Sequence, residues 1–330
     1  MDSPVAPRSP SIGARAAAPE RSSGVSFTTT ELWVPGAAYG INAAGDIVGS
    51  RTVGFVGSRA VLWRRGVLTD LGTLGGGSAV ATAINAAGEI VGRSSTGTGD
   101  THAFLWRRGV MTDLGTLGGA SSEATAISPS GAVVGRSLTT DGVQHAFLWI
   151  GGVMTDLGRP GEESEANGID PRGDVVGTNW FGTPFGTAAA VLWRNGVMTT
   201  LGNGTTTFTS ATAISPSAEI VGFREEQGVS TLFLWKNGRG ELTTTGAFHF
   251  RPFAVSAAGE IVGRILTSSE DRAFYWRDGV LTDLGTLGSP ILPFSFASGI
   301  NGAGQIVGAS SGMDGQTHAI LWTVKRGAVQ

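Results

Sequence analysis

The chain has no cysteine among its 330 residues, so disulfides and thiolate metal sites are excluded. Charge is scarce too. Asp, Glu, Lys and Arg make up 15% of the residues, against roughly 25% in ordinary soluble domains. The net charge of −3 carries no Lys/Arg run, so the electrostatic footprint of a nucleic-acid binder is missing. An anionic membrane surface is disfavoured by the same balance. No apolar run approaches the ~18 residues a membrane-spanning helix needs. The N-terminal MDSPVAPRSPSIGARAAAPERSSG lacks the apolar core of a secretory signal. It reads as a disordered tail over residues 1–25, and the cytoplasm is the expected location if Met1 is the natural start.

Glycine fills much of the space that charge leaves, with 53 residues, and the sequence repeats. The stretch Thr101–Gly135, THAFLWRRGVMTDLGTLGGASSEATAISPSGAVVG, returns about every 43 residues. Its tryptophan falls at Trp63, Trp106, Trp149, Trp193, Trp235, Trp276 and Trp322. A Val-Gly pair ends at Gly49, Gly92, Gly135, Gly177, Gly222, Gly263 and Gly308, which makes seven repeats. In repeat two, short β-branched and aromatic runs predict strands over Ala81–Asn85, Glu89–Arg93, His102–Trp106 and Val110–Leu114, with glycine turns between them. Four strands in such a period is the size of one propeller blade. The last copy stops before its fourth strand, whereas Thr30–Gly36 (TELWVPG), ahead of the first copy, aligns with TDLGTLG. Pairing the two ends would complete the last blade and cover an edge. The expected fold is all-β: a seven-bladed propeller of four-stranded antiparallel blades forming one domain over residues 26–330.

The motifs HAFLW, GVMTDLGTLGG and A-x-A-I-N-x-x-G-x-I-V-G resemble the HAF repeat, a bacterial family labelled extracellular. The resemblance covers about residues 27–330. It implies a propeller, and it implies no set of catalytic residues.

Symmetry separates scaffold from site. The seven tryptophans occupy equivalent positions and read as packing between blades. His102, His145 and His318 share a position with Arg59 and Arg272, so they read as polar caps on a strand. Asp70, Asp113, Asp156 and Asp283 recur in TDLG, where a carboxylate accepts turn N–H groups. Spacing from the first strand to the Val-Gly pair is constant. The second-to-third loop and the crossing between repeats vary in length, which marks one face as the variable one.

Two positions on that side break the symmetry. The first holds Ala37, Val80, Glu123, Glu165, Ser210, Arg251 and Phe296. Two residues later stand Tyr39, Thr82, Thr125, Asn167, Thr212, Phe253 and Ser298. Neighbouring loops add Trp180 in NWFGTPFG and His249, the one histidine outside the repeat pattern. Glu123, Glu165 and His249 are the candidates for proton transfer. Tyr39, Asn167, Trp180, Arg251, Phe253 and Phe296 are the candidate ligand-binding residues. The leading expectation is a monomer that binds a small-molecule or peptide ligand at its channel mouth. One alternative is a cofactor-independent cyclase, lyase or hydrolase acting on an apolar small molecule; another is a protein–protein scaffold. No metal, cofactor, nucleic acid or membrane is expected as a partner.

Overall fold

A computed structural model describes residues 25–54, 57–182, 187–201, 208–226, 228–236, 239–242, 249–266, 270–289 and 293–326. The expected tail lies outside these residues except for Val25, which begins a strand. So do parts of the variable loops, including Phe185 in NWFGTPFG.

Repeat two forms strands Gly75–Ile84, Ile90–Thr96, Thr101–Arg107 and Val110–Asp113. The first starts earlier than the apolar pattern predicts, because the glycine-rich lead-in is itself paired. Gly75 lies opposite Thr96, and Ser94 Oγ accepts the Leu74 N–H at 2.9 Å. The second strand begins one residue later than predicted and runs three residues further, to Thr96. In repeats one to four and in repeat six, third and fourth strands meet in two-residue turns with both central φ angles positive, as at Arg108 and Gly109 (50° and 89°). That is the turn whose twist matches a β-hairpin.

Each repeat lays its strands side by side in chain order, giving five four-stranded sheets and one eight-stranded sheet among the described residues. The eight-stranded sheet is repeats two and three joined by one parallel bridge, Ser121 to Thr101. In repeat seven the fourth place is taken by the strand Val25–Trp33. It pairs antiparallel with Thr317–Arg326, from Val25 opposite Arg326 to Trp33 opposite Ala319.

The core lies between successive sheets. Repeat one (Val48, Leu62, Leu71) packs on repeat two (Ala81, Ile90, Phe104), with Trp106 against the cluster. Every landmark tryptophan sits in this way against the repeat before it. Trp63 of repeat one accordingly packs on a cluster that includes Val307 and Ala319 of repeat seven. Burial of apolar and aromatic area at these junctions holds the sheets together.

Candidate functional site

The second of the two symmetry-breaking positions is itself an irregularity, and the first stands two residues before it. In the first strand of every repeat the register slips by one residue, for example between Ala124 and Ala126 or between Pro252 and Ala254. The skipped residues are Tyr39, Thr82, Thr125, Asn167, Thr212, Phe253 and Ser298. A bulge of this kind re-aims its extra residue. It also explains the landmark glycines. A Cβ on Gly135 would lie 1.9 Å from Glu123 O, and one on Gly49 would lie 2.0 Å from Ala37 O. Only a residue without a side chain fits opposite the bulge.

Most bulged residues bond to the next repeat. Thr82 Oγ1 donates to Ala124 O at 2.7 Å, and Thr125 Oγ1 donates to Ala166 O at 2.6 Å. Asn167 Nδ2 donates to Ala211 O at 3.0 Å, and Ser298 Oγ donates to Ala38 O at 2.7 Å. Thr212 has only the contact within its own sheet that Thr82 and Thr125 also make, donating to Val221 O at 3.2 Å. Tyr39 and Phe253 have no group that can make this bond in the same way. They form walls instead. A cavity of about 410 Å³ is lined by Tyr39, Thr82, Thr125, Phe253, Arg264, Phe296 and Ser298. Five of these are bulged residues. Tyr39 and Phe296 stack with ring centroids 6.3 Å apart and planes 15° apart, and the Phe253 side chain is exposed.

The charged candidates lie in two other groups. Glu123 and Glu165 are joined by Arg136, whose guanidinium lies 2.6 Å from Glu123 Oε2 and 3.2 Å from Glu165 Oε2. Arg93 holds the other oxygen of Glu123, and Asn167 reaches Glu165 Oε1 at 3.4 Å. Burial works against the charge on Arg136, but the two carboxylates outweigh it and raise its pKa. Arg251 stacks over Phe223, 3.8 Å from the ring centroid, and reaches Glu225 at 3.1 Å and Ser230 Oγ at 2.9 Å. His249 Nδ1 stands 3.4 Å from the same Ser230 oxygen. Among the described residues no hydrogen bond or ion pair joins the Glu123–Glu165 group to the Arg251–His249 group. Trp180 lies apart from both, half-buried opposite Ala188 and Glu163.

The second strand supplies residues that the sequence argument missed. Arg93, Arg136 and Arg264 follow the landmark glycines, where the other repeats have Ser50, Thr178, Phe223 and Ala309. That diversity equals the one that singled out the first strand, and it was the available signal.

The recurrent histidines and aspartates turn out to be one device. His102 meets Asp113 at 2.8 Å, His145 meets Asp156 at 2.8 Å, and Arg272 meets Asp283 at 3.2 Å. Arg59 lies 4.0 Å from Asp70. Each aspartate also accepts a turn N–H, as Asp113 does from Gly115 at 2.8 Å. In repeat seven the acid is Glu31, from the N-terminal strand, 2.8 Å from His318. Repeats four and five lose both partners together, with Ala189 beside Thr200 and Thr231 beside Leu242 at the matching positions. Among the described residues no group of three His, Asp or Glu side chains is disposed to hold a metal. No helix there is long and apolar enough to cross a membrane.

This arrangement of sheets is that of the β-propeller proteins. The chain superposes on the β-propeller domain of the Trilobed protease from Pyrococcus furiosus with a TM-score of 0.56 and 8% identity, over 88% of this chain and 97% of that one. A Mycobacterium tuberculosis puromycin-hydrolyzing peptidase gives 0.62 and 13%, over 86% and 51%. The acylaminoacyl peptidase of Pyrococcus horikoshii gives 0.56 and 9%, over 88% and 52%. The chain spans about half the length of these two peptidases. At such identities the likeness is one of fold alone. No protein-family model and no curated protein matches the sequence.

Proposed function

We propose that the chain closes into a seven-bladed propeller of the HAF-repeat type, and that its channel binds one small, largely apolar ligand against Tyr39, Phe253 and Phe296. Closure is supported by the pairing of Val25–Trp33 with the last strand and by the Ser298–Ala38 bond. A second bond across the same junction, Asn301 Nδ2 to Asn42 O at 3.0 Å, supports it further. The observation that carries the binding reading is the convergence of five bulged residues on one cavity whose aromatic members give up the bond between sheets. Small-molecule sites are concave, mostly apolar and equipped with few polar groups.

Proton transfer by Glu123, Glu165 or His249 has less support. The carboxylates are engaged by guanidinium donors, and His249 stands in a separate group. In this reading Glu123, Arg136 and Glu165 brace neighbouring blades beside the cavity. The chain acts as a monomeric binding module, and no metal or cofactor enters its action.

Saturation-transfer NMR with the neutral two-ring probe 2-naphthylmethanol tests the site. The wild type is expected to show transfer, and Phe253→Ala and Tyr39→Ala to lose it with unchanged circular dichroism. Equal transfer in all three would contradict the assignment.

A further inference from the structure

We infer that the ligand of this cavity is an aromatic acid, a planar ring system bearing one carboxylate, held by Arg264. The inference rests on the reading of the cavity as a binding site and adds the chemistry of what enters it. The starting point is an inventory of hydrogen-bond donors. The hydroxyl protons of Thr82, Thr125 and Ser298 are committed to backbone carbonyls, so towards a ligand these groups can only accept. Arg264 is the charged donor on the cavity wall.

Its position follows from the sheet. Arg264 lies directly opposite Arg251 across the first two strands of repeat six. Like charges in that position repel, and the two side chains diverge. Arg251 is drawn to Glu225, Ser230 and the Phe223 ring, and its donors are largely used. Arg264 turns the other way, 5.9 Å from the Phe253 centroid, and reaches Asp271 through one nitrogen at 3.1 Å. Its Nε is buried and has no partner among the described residues. A guanidinium offers five N–H donors in a planar fork; with Nε closed off and Nη1 on Asp271, the Nη2 group of this one is left for a carboxylate acceptor. Asp271 already offsets part of the charge, which suits a monoanion better than a phosphate dianion. The stacked rings of Tyr39 and Phe296 supply a flat apolar wall for the rest of the ligand.

Calorimetric titration of the full chain with 2-naphthoate and with 2-naphthylmethanol separates the two claims. In the wild type the acid is expected to bind about tenfold more tightly than the alcohol, the range of a charge-assisted pair. Arg264→Gln should abolish that preference. Asp271→Asn, which removes the competing carboxylate, should tighten the acid alone, and it decides the matter should Arg264→Gln fail to fold. Equal affinities for acid and alcohol in the wild type would overturn the aromatic-acid inference and leave the cavity reading standing. So would an acid affinity unmoved in the two variants. Binding of neither probe would overturn both.

Discussion

Repeats two, three and four place Thr82, Thr125 and Asn167 on the bulge of the first strand, whereas repeats six and one place Phe253 and Tyr39 there. The backbone is the same in both regions, and so is the landmark glycine opposite. The first group spends the position on a hydrogen bond to the next sheet, and the second spends it on an aromatic wall. One irregularity thus serves cohesion in some repeats and, in the function proposed above, recognition in others. An aromatic residue there gives up the bond, and Thr212 shows that a hydroxyl does not by itself secure it.

The comparison breaks most sharply if the shared backbone is not what the glycines protect. Gly135→Ala should lower stability by at least about 3 kcal/mol in chemical denaturation, since the new methyl would meet Glu123 O and the Ala124 Cα. A loss below about 0.5 kcal/mol would mean that the bulge is not required. Next in size is the bond between sheets. Thr125→Val leaves Ala166 O without its donor and should cost about 1–2 kcal/mol. Thr212→Val, whose hydroxyl stays within its own sheet, should cost less.

Ala218 offers a change of opposite sign. It holds φ at 65° in the turn where the neighbouring repeats have Gly173 and Gly259. That left-handed backbone strains any residue with a Cβ, so Ala218→Gly should raise stability by about 1 kcal/mol.

The smallest effect lies where the chain ends meet. Burial disfavours the charged form of His318, but Asp314 and Glu31 outweigh it, and its pKa is raised. A raised folded pKa adds stability that is fully present below the unfolded value of about 6.5 and is lost as pH rises through the folded one. The partners are half-exposed, so the effect stays below about 1 kcal/mol. Melting temperature should fall from pH 6 to pH 9 more steeply in the wild type than in His318→Gln. Parallel curves would mean that the His318 ion pairs add nothing to stability.

Much of this was legible in the sequence, and the missing parts have physical causes. Period, turns and landmark tryptophans fixed the four-strand unit, because each follows from local chemistry that repeats. Variation at Glu123 and Phe253 marked the right strand, yet no residue type announces an extra residue in a β-ladder. Only Gly135 and its counterparts carried the imprint of the bulge, and a glycine within a short apolar run does not say what stands opposite it. Placing Glu123 and Arg251 about one shared site failed for a related reason. Sequence position does not say which way a long side chain turns, and Arg136 and Glu225 decided that. The coupling of His102 to Asp113 was in principle readable, since both members vanish together in repeats four and five.

The most direct test rewrites the aromatic side in the language of the other. Phe253→Thr should give repeat six the donor that Thr125 has, aimed at Ala297 O, in exchange for a ring that is 36% exposed. Stability in urea and 2-naphthylmethanol binding are measured together on this variant. The account predicts loss of binding and a stability within about 1 kcal/mol of the wild type, the new bond offsetting the lost ring burial. A variant that binds as the wild type does would contradict the division of labour proposed for the bulge.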